Sequence, residues 1–185
     1  MKCLSFLLAL FVFLSGCGDP NDSIEEALQI RSRLNENGCE FLAKIVADYS
    51  SSIYEFDLLC NVDVTGQLSF EVKKPETISG IKGMFDMSGG KLTFDDKMLA
   101  FAPLCEGIVT PVSAPWIFLS AMKGGYIIAV EDLTDGYRLQ YEDTYEGNVM
   151  KIHITVNADW IPIFAEIYWE ECRVIHMIID DFRFV

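Results

Sequence analysis

The sequence predicts a mainly β (α+β) fold: one strongly curved antiparallel sheet, a half-barrel of about 10–11 strands, wrapped around an inserted apolar helix, with another helix at the amino-terminal end. Three observations carry this expectation. From Phe41 onwards apolar and polar residues alternate with period two, segment after segment, as in strands with one buried and one solvated face. The segments are separated by turn-forming stretches such as Ser88-Gly89-Gly90, Asp95-Asp96-Lys97, Thr134-Asp135-Gly136 and Glu146-Gly147-Asn148. Finally, Pro111 to Met122 would place Trp116, Ile117, Phe118, Leu119, Ala121 and Met122 on every side of a helix. A surface helix shows a single apolar stripe, so a helix apolar all round expects to be surrounded. A two-sheet sandwich accounts for the alternation, but only a bent sheet with the helix in its concavity accounts for both patterns.

Taken in order, the chain opens with Lys2, an apolar run from Leu4 to Leu14, and Leu14-Ser15-Gly16-Cys17. The run is too short to span a bilayer as a helix, which needs about 20 residues. It reads as a lipoprotein signal covering residues 1–16, with Cys17 as the acylated first residue of the mature chain. A single acyl chain holds a protein only marginally, whereas two or more anchor it stably. Residues 17–22 then form the lipidated cysteine and a linker, and residues 23–185 a single domain. The expected location is the extracytoplasmic face of a cell membrane, held by the fatty acyl (palmitate-type) anchor.

Ser23-Ile24-Glu25-Glu26 reads as a capping box opening a helix that ends near Glu36, before Asn37-Gly38. Ile24, Ala27, Leu28 and Leu34 give that helix a partial apolar face. The strands follow. Phe41, Ala43, Ile45, Ala47 and Tyr49 share one face. Tyr54, Phe56, Leu58, Cys60, Val62 and Val64 share the next, and Leu68, Phe70 and Val72 the third, which Pro75 ends. Short strands are expected at Ile81–Met87, Lys91–Phe94 and Met98–Ala102. The apolar helix runs from Ala114 to Lys123, with Ser113 as its cap, Pro115 in its first turn and Gly124 free to take a left-handed closing position. Five strands complete the chain: Tyr126–Glu131, Tyr137–Glu142, Met150–Val156, Ile163–Trp169 and Arg173–Phe184.

The formal charge is −14, and removal of Lys2 with the signal leaves 13 basic against 28 acidic residues. That balance excludes the basic patches that nucleic acid and anionic headgroups require. Cys39, Cys60, Cys105 and Cys172 remain once Cys3 is removed and Cys17 acylated; they can pair in three ways or stay as thiols. There is no C-x-x-C and no spaced-oxygen calcium loop. His153 lies between Lys151 and Thr155, and His176 in the apolar run Val174–Ile179, which reads as one surface and one core histidine rather than a metal pair. The acidic doublets Asp95-Asp96, Glu170-Glu171 and Asp180-Asp181 read as solvated turns and edge protection. No metal, cofactor or catalytic constellation is expected, and the protein is read as a non-enzyme.

The order of elements resembles the LolA/LolB-like lipoprotein-carrier superfamily. The local match lies in Leu68-Ser69-Phe70-Glu71-Val72-Lys73-Lys74-Pro75, Gly90-Lys91-Leu92-Thr93-Phe94 and Ala114-Pro115-Trp116-Ile117-Phe118-Leu119. The resemblance implies a half-barrel closed by helices, with an apolar cavity that accepts acyl chains of lipoproteins or other lipids. Related domains serve as envelope-stress sensors, and the LolB-like members are themselves lipid-anchored. The carriers hold their lid with a concave-face arginine; Arg138, Arg173 and Arg183 read here as outward-facing or terminal. The expected ligand cavity is lined by Trp116, Phe118, Leu119, Met122, Phe56, Phe70, Met150 and Trp169. The alternative is a filled-core sensor or interaction module whose acidic outer face meets a protein partner.

Overall fold

The computed structural model describes residues 20–48, 53–85 and 109–185. Helix α1 covers Pro20–Glu36. Strands β1 (Cys39–Asp48), β2 (Ile53–Val62), β3 (Leu68–Lys74) and β4 (Lys82–Phe85) follow it. A 3-10 turn at Pro111–Ser113 leads into helix α2 (Ala114–Gly124). Strands β5 (Tyr126–Leu133), β6 (Gly136–Tyr145), β7 (Asn148–Asn157), β8 (Pro162–Trp169) and β9 (Cys172–Phe184) complete the chain. The signal, Cys17, Cys105 and the strands expected at Lys91–Phe94 and Met98–Ala102 lie outside the described residues.

All nine described strands belong to one antiparallel sheet in the order β4-β3-β2-β1-β9-β8-β7-β6-β5. The last strand returns beside the first, so two meanders join at a central β1–β9 pair, with Ala43 opposite Ile179 and Ile45 opposite Met177. Register shifts interrupt five ladders, at Glu40/Leu42, Asp57/Leu58, Ile127/Ala129, Thr155/Val156 and Ile167/Tyr168. An extra residue on one strand bends it and increases its twist. Repeated across the sheet, these shifts favour an unclosed trough, in keeping with the half-barrel expectation.

The alternation resolves into sides as expected. Phe41, Ala43, Ile45 and Ala47 of β1, Leu58, Cys60 and Val62 of β2, and Ile152, Ile154 and Val156 of β7 are buried on the helix side. Tyr54 and Val64, placed on the inner face by alternation alone, are exposed where β2 ends. His176 is corrected too: it lies on the outer face of β9, while Ile175, Met177 and Ile179 point inward.

Both helices differ in detail from the sequence expectation. Helix α1 begins at Pro20, so Ser23 lies inside its first turns instead of capping it; a proline opening a helix forfeits only a donor that would be unpaired anyway. Its inward side is Ala27, Ile30 and Leu34, and Ile24 and Leu28 are left 43% and 47% exposed. Ser113 stands at the N-cap position of α2 as expected, but its side chain makes no cap bond to the helix. Its hydroxyl donates to the Thr110 carbonyl at 2.8 Å and accepts from the Thr110 N–H at 3.2 Å, closing the 3-10 turn ahead of the helix. No left-handed glycine closes α2 either. Gly125 N–H donates to the Ala121 carbonyl at 2.9 Å, and a Cβ on Gly125 would lie 2.7 Å from that oxygen, so the close approach needs glycine.

Candidate functional site

The candidate site is the apolar contact between α2 and the concave face. Ile117, Phe118, Leu119 and Met122 are all 2% exposed or less, and Trp116 is half-buried. Two files of aromatic rings run from the helix into the sheet. Phe118 meets Phe41 edge-on at 5.7 Å, and Phe41 stacks on Phe182 at 5.8 Å. Trp116 stacks on Phe85 at 6.0 Å with the planes 16° apart, and Phe85 lies against Phe70 at 6.0 Å. Offset and edge-on ring pairs of this kind add about 0.5–1.5 kcal/mol each beyond the area they bury. The Phe70 ring leans across Gly83 on the neighbouring strand, where any Cβ would collide with it.

The expected lining is thus placed as follows. Trp116 and Phe70 share one ring file through Phe85, and Phe118 belongs to the other. Leu119 and Met122 are buried on the same helix. Phe56 is 8% exposed on β2, Met150 is buried on β7, and Trp169 packs half-buried at the core margin at the end of β8. Phe41, Phe85 and Phe182 complete the ring files. The alternation marked Phe41 as inward, but which rings meet depends on the sheet order.

The polar ties of α2 gather at its C-terminal end. Ser120 Oγ donates to Asp143 Oδ2 on β6 at 2.6 Å. Arg31 of α1 donates from Nε to the Met122 carbonyl at 3.1 Å and from Nη2 to the Gly125 carbonyl. Asn35 Nδ2 donates to the Lys123 carbonyl at 3.3 Å. The last carbonyls of a helix lack partners within it and carry partial negative charge, so a guanidinium and an amide suit them. Arg31 also approaches the Tyr141 ring, at 6.0 Å from its centroid. Burial pushes the Tyr141 hydroxyl up to about 12, although the neighbouring Arg31 pulls the other way. Among the described residues no buried side-chain polar atom lacks a partner.

Arg31 is the residue that sequence reading missed. It lies in the second half of α1, outside the partial apolar face that the sequence assigns to that helix. Arg138, Arg173 and Arg183 do face outward, paired with Glu131, Glu166 and Glu40 respectively.

The interior offers apolar contact. Burial pushes the Cys39 thiol up to about 12 and the Cys60 thiol well above its ordinary value, which suppresses the nucleophilic thiolate of each. Cys39, Cys60 and Cys172 are free thiols. Among the described residues no three His, Cys, Asp or Glu side chains converge as a metal site. On the outer face, one cross-strand row carries His153, Glu166 and His176 on β7, β8 and β9. There Glu166 accepts from Arg173 at 2.7 Å and from the Tyr168 hydroxyl at 3.3 Å.

No family model matches the chain, and no curated protein sequence matches it. Solved structures are similar to it, among them the following three. A DUF1329 family protein from Desulfovibrio piger has 10% identity over 90% of this chain and 94% of that one, with a TM-score of 0.43. A LolA superfamily protein from Nitrosomonas europaea has 10% identity over 85% and 92%, with a TM-score of 0.38. A protein from Vibrio parahaemolyticus, described as an outer membrane lipoprotein-sorting domain, has 8% identity over 90% and 93%, with a TM-score of 0.42. In fold, the chain is similar to these proteins. No residue role passes across the likeness, and the site rests on its own geometry.

Proposed function

We propose that this protein is a membrane-anchored, extracytoplasmic binding protein that takes an apolar ligand, a lipid or acyl chain, between α2 and the concave face of the sheet. Cys17 carries the anchor, and the protein binds without performing chemistry. The observation that carries this reading is the polarity gradient along α2. From Ala114 to Leu119 the helix presents Pro115, Ile117, Phe118 and Leu119 to the interior, and among the described residues its side-chain hydrogen bonds begin at Ser120. A hydrocarbon chain lying against Ile117, Phe118 and Leu119 replaces apolar contacts with apolar contacts, which avoids the cost of burying an unpaired donor or acceptor there. The pinned C-terminal end serves as the pivot. Each Å² of ligand removed from water contributes about 25 cal/mol.

The second reading, a filled-core module that meets a basic protein through its acidic outer face, draws on the ring contacts Phe118–Phe41 and Trp116–Phe85, which already bring helix and sheet together. Titration of the delipidated protein with a fluorescent fatty acid separates the two. Saturable binding that is displaced by unlabelled oleate and weakened by Phe118→Asp supports the carrier. No binding, together with a protein pull-down that weakens as ionic strength rises, supports the module.

A further inference from the structure

Helix α1 carries a feature that the packing of the described residues does not use. Its inward side is Ala27, Ile30 and Leu34, yet Ile24 and Leu28, one turn apart on a neighbouring shoulder, remain 43% and 47% exposed. We infer that this shoulder lies against the bilayer that holds the anchor and takes up the apolar edge of a neutral phospholipid interface. The inference rests on the reading of Cys17 as the acylated residue.

Chain length supplies the first argument. Only Gly18 and Asp19 separate Cys17 from Pro20, where α1 begins. Three Cα–Cα steps of 3.8 Å reach at most about 11 Å. With a rise of 1.5 Å per residue, Leu28 lies about 12 Å along the helix from Pro20. The tether is therefore short enough for both aliphatic side chains to touch the interface when α1 lies along it. Interfacial helices bury an apolar side about 5–10 Å into the headgroup boundary, and two branched aliphatics one turn apart make a small surface of that kind.

Charge supplies the second argument and selects the lipid. Around the shoulder α1 exposes Glu25 and Glu26. Its two cations are engaged elsewhere: Arg31 is bonded to the Met122 and Gly125 carbonyls, and Arg33 lies over the Phe184 ring at 4.1 Å. The helix offers no uncommitted cation to an anionic headgroup, so the contact is apolar and suits phosphatidylcholine or phosphatidylethanolamine.

The test uses the full acylated chain reconstituted into phosphatidylcholine–phosphatidylethanolamine vesicles, with lipids brominated on the upper acyl chain as quenchers. Ile24→Trp, Leu28→Trp and, on another exposed side of the helix, Glu26→Trp are each compared with the parent, whose native tryptophans set the background. The added emission from Ile24→Trp and Leu28→Trp is expected to be largely lost, that from Glu26→Trp retained, and phosphatidylglycerol or salt to change neither. Equal quenching at all three positions, or none, in a chain whose Cys17 is acylated overturns the docking shoulder and leaves the anchor standing. Quenching that requires phosphatidylglycerol overturns the neutral interface. A Cys17→Ala chain that stays with the vesicles as the parent does overturns the anchor, and the inference with it.

Discussion

Arg31 on α1 donates to the Met122 carbonyl on α2 at 3.1 Å, joining residues that stand 91 positions apart in the chain. With a second bond to Gly125, one planar fork closes the end of the inserted helix. Arg31→Ala leaves those part-buried carbonyls short of a donor, and the loss is expected at the low end of the about 1–3 kcal/mol that a buried unsatisfied group costs. Lysine keeps the charge near the helix end and loses the fork. Chemical denaturation is expected to place Arg31→Lys between parent and Arg31→Ala. Hydrogen exchange is expected to show the amides of the last turn of α2 losing protection first.

The two ring files differ in depth. Phe118 is fully buried against Phe41, so Phe118→Ala should destabilise by about 3–5 kcal/mol, the range for deleting a buried aromatic. Trp116 is half-buried against Phe85, and Trp116→Ala should cost clearly less. Equal losses in urea unfolding would contradict the placement of α2.

The thiols should separate by burial. Cys172 is exposed at the start of β9, whereas Cys39 and Cys60 are buried with their thiolates disfavoured. Iodoacetamide at neutral pH is expected to modify Cys172 in the folded protein, and Cys39 and Cys60 only after unfolding. Peptide mass mapping reads the order directly.

Acid should weaken the fold through the outer-face histidines. Burial holds both His153 and His176 below their ordinary value of about 6.5. The unfolded chain therefore takes up protons at a higher pH than the folded chain, so the stability present above about 6.5 is lost as pH falls through the folded values. Near His153 the Glu166 carboxylate opposes the shift, while Arg138 and Lys151 reinforce it. Replacing both histidines with glutamine should flatten the denaturation midpoint across this window. Asp63 and Glu71, which hydrogen bonds hold low, act only at more acid pH.

What was legible in the chain follows from how local each signal is. Alternation is a property of neighbouring residues, so the strands β1 to β3 and β6 to β8 could be read directly, and with them most inward sides of β1 to β3; Tyr54, near the start of β2, and Val64, just past its end, are exposed. So could α2, because its apolar residues leave no wet side. In β9 the outer face is itself apolar at Val174 and Ile178, which hides the alternation and made His176 read as core. The pairing of β9 with β1 is a choice of partner across most of the chain, invisible to any local window. The same holds for Arg31, whose role is set by the carbonyls it reaches. Of the candidate site, the lining residues were legible as buried types, and their contacts waited on the sheet order.

The central claim is that an apolar ligand occupies the space beneath the first turns of α2. Native mass spectrometry of the protein released from membranes in mild detergent tests it most directly. The account predicts a lipid-sized adduct beyond the covalent anchor, lost on delipidation, restored by a fatty acid and weakened by Phe118→Asp. A folded protein that carries only its anchor before and after exposure to fatty acid would contradict it.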